Sequence, residues 1–386
     1  MKEASIGENA ALRRTSAGMR RGTERKPFGS NAVRLSWREW AVVVAAAALF
    51  VLGAPRLWMR AERFQPRPDF RIPYSLANDY WVFERLCRAT STETDAVFVV
   101  GDSAIWGHYV AQDETLSHDL AELTGRRFVN AGVEGLHPAA LAGLVRYYGG
   151  ALRGRRVLAQ WNPLWIASPR RDLSAEKEFA FNHPELVPQF SPKIPCYRAS
   201  FSTRVHRCLT RRLLFFVWVR HLRIRCFEGM DLASWTVEHP WRNPIAKARF
   251  DLPQDAPSPE SDFQPWTARG VRKQDFDWVD LDASLQWRFF REALATLRRR
   301  GNRVFVLVGP FNEHMLTEAG LRRYKALRRA ALAWLQAEGI PCLAAAPPPS
   351  ELYADASHPL AKGYKIIARE LAADPAFQRF LGAVGP

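Results

Sequence analysis

Three side chains, set at two widely separated points of the chain, could together break or move an acyl ester. The stretch "DAVFVVGDS", Asp95 to Ser103, runs an apolar segment straight into Gly-Asp-Ser, and the later stretch "ADASHP" carries Asp355 and His358. Acyl transfer needs a nucleophilic hydroxyl, a base within hydrogen-bond reach and a group that orients the base. Ser103 has the chemistry of the nucleophile and His358 that of the base. Asp355 lies three residues before His358, so one loop can present both, and its carboxylate would hold the imidazole tautomer and favour the imidazolium. For the oxyanion, the natural donors are the backbone N–H of Ser103, the N–H of Gly135, where no side chain blocks approach, and the amide of Asn162. Losing one such donor typically costs about 2.7–4 kcal/mol of transition-state stabilisation. Each residue alone has a plainer reading: a Gly-Asp-Ser turn, a cap at Asp355, a surface His358, a turn at Asn162 before Pro163. Their joint placement carries the argument.

That placement comes from the elements. From about residue 95, short apolar runs alternate with amphipathic ones, as in a parallel sheet with crossover helices. "AVFVV", "RFVNAG" and "RVLAQWN" are expected strands, separated by the helices "ETLSHDLAEL" and "HPAALAGLVRYYG". The alternation then stops. Residues 166–280 are rich in Pro, Trp and Arg and form a long insertion, ending in the linker-like "LPQDAPSPESDFQPW". It resumes with the helix "LDASLQWRFFREALATLRRRG", the strand "RVFVLVG", the helix "GLRRYKALRRAALAWLQAEG", the strand "IPCLAA" and a last helix from "HPLAKGYKIIARELA"; Gly301 and Gly339 sit where helix C-caps belong. Ligands of such sheets bind at the carboxyl ends of the strands. Ser103, Gly135, Asn162 and the 354–359 loop all fall there. Trp161 and Trp165 are expected to narrow or line the pocket beside Asn162, and His137 either faces the site or starts a helix beside Pro138. Within the insertion, "TRRLLFFVWVRHLRIRC" fits a basic helix lying on a bilayer and equally a buried helix with a charged rim.

The chain has 386 residues, a formal net charge of +16 and five cysteines. Such a charge favours an anionic neighbour, but the arginines are spread throughout and accompany no zinc-finger, recognition-helix or RNP-like pattern, so a nucleic acid partner is not indicated. Cys87, Cys196, Cys208, Cys226 and Cys342 form no C-x-x-C pair. Neither a metal nor a cofactor is implied. At the N-terminus, residues 1–39 read as a disordered basic tail. The apolar run Trp40–Pro55 follows; its 16 residues would make a helix of about 24 Å, short of the roughly 30 Å hydrocarbon core. Extending it to residue 59, with Arg56 snorkelling, reaches about 30 Å, and Trp37, Trp40 and Trp58 bracket it as interfacial anchors do. An uncleaved transmembrane signal anchor over 40–59 is expected, then a linker and lead-in helix over 60–94 and the main domain over 95–386. Nine Lys or Arg precede the run, but Arg56, Arg60, Arg63, Arg67 and Arg71 follow it closely, so charge alone does not settle orientation.

Gly101-Asp102-Ser103, the run Asn130-Ala131-Gly132-Val133-Glu134-Gly135, Asn162, and Asp355-Ala356-Ser357-His358 resemble, in this order, the motif blocks of the SGNH (GDSL-type) hydrolase family. The resemblance covers residues 95–165 and 281–375. The third block departs from the family's Gly-x-Asn-Asp, reading Gln160-Trp161-Asn162-Pro163. The resemblance implies a flavodoxin-like three-layer α/β/α fold with a central parallel sheet, and Ser103, Asp355 and His358 as catalytic residues with Ser103, Gly135 and Asn162 as oxyanion donors. It further implies an esterase or O-acetylesterase acting on acylated cell-envelope carbohydrate or lipid through an acyl-serine. The alternative is an O-acyltransferase modifying an extracytoplasmic polysaccharide, with a multi-span membrane acyltransferase as partner. Both readings put the catalytic domain on the extracytoplasmic (periplasmic) side of the membrane.

Overall fold

The computed structural model describes residues 35–382. Most of the tail expected over 1–39 lies outside the described residues. The first helix, α1 (Trp37–Ala61), is longer than the apolar run at both ends, 25 residues in all. Its start follows from a Ser-x-x-Glu box: the Ser36 N–H and hydroxyl donate to the Glu39 carboxylate, and the Glu39 N–H donates to Ser36 Oγ at 3.4 Å. With a mean hydropathy of 1.9 the helix is long and apolar enough to cross a membrane. The chain divides into two compact units between Phe50 and Val51, and the packing described next is that of the second.

Five strands, β1 (Val97–Val100), β2 (Phe128–Asn130), β3 (Arg156–Trp161), β4 (Arg303–Val308) and β5 (Cys342–Ala344), form one all-parallel sheet in the order β2-β1-β3-β4-β5. Strand β1, buried throughout, is Val-rich because it is covered on both faces. Phe98 and Val100 belong to a core cluster on one side, and Val97 and Val99 to a cluster on the other. The first cluster is completed by α2 (Tyr80–Ala89), α5 (Pro138–Tyr148), α9 (Leu285–Arg299) and α10 (Glu318–Ala337), the second by α4 (Leu116–Thr124), α11 (Ala361–Ala373) and α12 (Pro375–Leu381). Helices α9 and α10 end two residues before glycines at left-handed φ, Gly301 at 75° and Gly339 at 63°, with the C-cap residue between. The segment 60–94 contains α2.

The long insertion is not structureless. After an irregular arm it holds α6 (Phe201–Thr210), α7 (Leu214–Cys226) and α8 (Leu232–Glu238), and is then largely irregular up to α9. Helix α7 carries the basic apolar segment whose two readings were left open. It packs on α2 with Val217 and His221 buried, and Arg220 lies over the Tyr80 ring while Arg223 stays exposed. The five cysteines are all free thiols. Trp161 is a correction: it is fully buried and packs on Trp287 with ring centroids 4.9 Å apart. The period of two explains it, since Val157, Ala159 and Trp161 point to the same core face of β3.

Candidate active site

Ser103 is placed by a sharp change of direction. Strand β1 ends at Val100, and Ser103 opens the one-turn helix α3 (Ser103–Trp106), which Asp102 caps by accepting the Ala104 N–H at 2.9 Å. Gly101 has to be glycine here: a Cβ would lie 2.4 Å from Gln160 Oε1, the atom that accepts the Asp102 N–H at 3.1 Å. The turn therefore sits between the ends of β1 and β3. This is where the strand order reverses, with β2 on one side of β1 and β3 on the other, the crevice that open α/β sheets use for ligands.

From the other end of the chain, the loop before α11 brings His358 to the serine. His358 Nε2 lies 2.8 Å from Ser103 Oγ across 255 positions of sequence. Its Nδ1 lies 2.8 and 2.9 Å from the two Asp355 oxygens. With Nδ1–H donating to the carboxylate, Nε2 is left to accept the serine hydroxyl. Asp355 is fixed in turn: Oδ1 accepts the Ser357 and His358 N–H groups at 2.9 and 3.0 Å, and Tyr109 donates to Oδ2 at 3.4 Å. Asn312, from the loop after β4, donates to the Asp355 carbonyl at 3.1 Å and so holds the loop. Burial resists charge on His358, yet the Asp355 carboxylate outweighs it and raises the imidazole above its ordinary value. Burial likewise opposes ionisation of Asp355, but the adjacent imidazole and the two backbone donors bring it down to about 2. The pair is thus built to carry a proton on the histidine.

The expected oxyanion donors follow the carboxyl ends of β1, β2 and β3. Among the described residues, neither the Ser103 nor the Gly135 N–H has a protein acceptor. Gly135 takes φ of 70°, a left-handed conformation that favours glycine, and Asn182 lies against its Cα, so that an added Cβ would have to displace the Asn182 amide. Asn162 is fixed by its Oδ1, which accepts the Leu164 N–H at 3.0 Å, and by its Nδ2, which donates to Asp102 Oδ2 at 2.7 Å; its second N–H remains. Asp102 also accepts from Trp165 Nε1 at 2.8 Å. It is fully buried, which pushes its carboxyl up against the three donors that pull it down.

Besides capping the turn, Asp102 ties it to Asn162 and Trp165, a bridge invisible in sequence because its ends are some sixty residues apart. Also unforeseen is the insertion's hold on the Gly135 loop. His183 Nε2 donates to the Glu134 carbonyl at 2.8 Å while Nδ1 accepts the Tyr80 hydroxyl at 3.0 Å. His137 starts α5 as its N-cap and donates from Nε2 to the Asn182 carbonyl at 3.0 Å; burial drives it down to about 3, so it stays neutral. Trp165 keeps the expected place beside Asn162. Two ring contacts frame the histidine, Tyr109 at 5.2 Å and His108 at 5.8 Å.

Such an arrangement can pull a proton from the hydroxyl of a buried serine, Ser103 being 8 % exposed, and stabilise negative charge beside it. Compared with known protein families and with curated proteins, the chain matches none of either.

Proposed function

We propose that this chain is a serine-dependent acyl-ester hydrolase of the SGNH type, an esterase or O-acetylesterase acting on cell-envelope carbohydrate or lipid. The observation that carries the proposal is the unbroken relay Ser103 Oγ, His358 Nε2, His358 Nδ1, Asp355 at 2.8 Å for each contact. Supporting it are the unsatisfied N–H groups of Ser103 and Gly135, and the strand order, which is that of a flavodoxin-like three-layer fold.

In the reaction, Ser103 Oγ attacks the acyl carbonyl carbon as its proton passes to His358 Nε2. The carbonyl oxygen becomes an oxyanion among the N–H groups of Ser103 and Gly135 and the free N–H of Asn162. Collapse breaks the bond to the leaving alcohol, whose oxygen takes the proton back from His358. The acyl-serine is then attacked by water, which gives a proton to His358, and the acid departs as Ser103 regains its hydrogen. A sugar hydroxyl in place of water makes the same chemistry an O-acyltransfer, the second reading of the site. Helix α1, as a single transmembrane anchor, would hold this domain at the outer face of the membrane.

A fluorophosphonate probe tests the nucleophile on the detergent-solubilised full chain. Wild type is expected to label and Ser103→Ala to remain blank. Equal labelling of the two proteins would remove Ser103 from the mechanism. Release of p-nitrophenol from p-nitrophenyl acetate in water, against the rate with an added sugar acceptor, then separates hydrolysis from transfer.

A further inference from the structure

Next to the serine turn, the start of the insertion builds a cleft of about 370 Å³ whose walls include Trp165, Arg170, Arg171, Phe179, Phe181 and Asn182. Small-molecule sites fall at roughly 300 Å³ and above. Two of these residues fasten the cleft to the reaction centre. Trp165 donates to Asp102, and Asn182 lies against Gly135. Through these two side chains the cleft adjoins the Ser103 turn and the Gly135 loop.

Chemically the cleft has two kinds of wall. Trp165, Phe179 and Phe181 offer aromatic faces, on which sugar rings pack through their C–H bonds. Arg170 and Arg171 offer guanidinium groups that, among the described residues, form no ion pair. Arg170 lies over the Phe179 ring at 5.0 Å from its centroid, and Arg171 has a longer-range attraction to the Asp355 carboxylate. Their backbone is rigid. The next residue, Asp172, is fully buried and accepts the Ser284 hydroxyl and the Leu285 and Gln286 N–H groups, the last two at 3.1 Å. Gln286 Nε2 in turn donates to the Arg171 carbonyl at 3.1 Å. Two exposed guanidinium groups thus stand on a fixed turn beside an aromatic surface, neither in an ion pair among the described residues.

We propose that this cleft is a binding subsite for an acidic carbohydrate, with Arg170 and Arg171 pairing the carboxylate or phosphate of the sugar residue beside the ester. The inference rests on the acyl-serine reading for its placement, not for its test. Specificity is set here by charge-assisted, fork-shaped contacts to a planar or tetrahedral anion, which a neutral glycan cannot make.

Binding is measured without turnover, on the full chain carrying Ser103→Ala, so a failure of the catalytic reading leaves the result intact. The probes are oligogalacturonate for the carboxylate source, an oligomer of glycerol phosphate for the phosphate source, and neutral xylooligosaccharide. One acidic probe is expected to bind more tightly than the neutral one, and the Arg170→Gln/Arg171→Gln double variant to weaken it about ten- to a hundredfold. Arg170→Lys/Arg171→Lys should recover part of the loss. As a check on bulk charge, Arg298→Gln/Arg299→Gln removes two cations from the exposed end of α9 and should leave the affinity unchanged. Failure of both acidic probes to bind better than the neutral one overturns the proposal. So does an equal loss from the α9 variant, which would assign the attraction to net charge.

Discussion

Among the single residues, Asp355 governs what His358 can do. The carboxylate fixes which ring nitrogen carries hydrogen, and raises the affinity of the imidazole for a proton against the opposing effect of burial. A general base must be neutral to act, so the acylation rate is expected to climb as pH rises through the His358 value, which lies above that of an ordinary histidine. Asp355→Asn keeps the shape but frees the tautomer and removes the charge. Activity on p-nitrophenyl acetate should fall by about 10⁴-fold, and the midpoint of the residual pH profile should move to lower pH. A variant retaining the wild-type midpoint would show that Asp355 does not govern His358. Ser103, Asp355 and His358 were legible because their types and order are themselves the signal. Asp102, Asn182 and His183 were not, since each works through a contact that only the fold creates. Trp161 misled for a related reason: adjacency to Asn162 in sequence says nothing about which face of β3 a side chain takes.

Elements have to hold those residues still, and the junction of α1, α2 and α7 shows how the insertion is tied in. His221 on α7 is completely buried, with Nδ1 2.7 Å from Asp79 Oδ2 and Nε2 2.9 Å from Glu62 Oε1. Glu62 also accepts from Trp81 Nε1 at 2.8 Å and pairs with Arg85 at 3.2 Å. Burial alone would keep this histidine neutral, but the two carboxylates prevail and raise it to about 9. Burial also opposes charge on Glu62, and the His221 contact reverses that effect and lowers it. A histidine raised on folding contributes stability that is complete below its unfolded value of about 6.5 and is lost as pH rises toward 9. Glu62 contributes with the opposite sign, above about 4.5 and lost on acidification. His221→Ala strands two buried carboxylates and should destabilise the protein by about 3–5 kcal/mol. In urea unfolding, the gap between wild type and His221→Gln should be wide at pH 6 and narrow by pH 9; an equal gap at both would mean that the histidine is not charged in the fold. The sequence showed α7 as a helix with an apolar and a basic side, but a lone histidine in it carried no sign of this cluster. Its partners come from the segment just after α1 and the start of α2, over 140 positions away.

For the whole molecule, the sheet and the first helix impose different kinds of constraint. The alternation of short apolar and amphipathic runs was enough to read a parallel α/β domain, because each crossover helix covers the strands it joins. What alternation cannot supply is strand order, and here the order positions the candidate site: with β1 between β2 and β3, the ends leading to Ser103 and Asn162 are neighbours. Helix α1 adds a question of side. Its 25 residues extend about 38 Å at 1.5 Å per residue, more than the roughly 30 Å hydrocarbon core, so it can span with tilt. Basic residues flank it on both ends, eight before it and Arg56, Arg60, Arg63, Arg67 and Arg71 at or beyond its C-terminal part, so charge alone does not set its orientation. An enzyme acting on envelope glycans requires a cytoplasmic N-terminus. Alkaline phosphatase fused after residue 386 should accordingly be active in intact cells and β-galactosidase at the same junction inactive, with the chain retained in the membrane pellet after carbonate washing. The reverse reporter pattern would put the domain in the cytoplasm, away from any envelope substrate, and would redirect the search for its ester to intracellular acylated sugars.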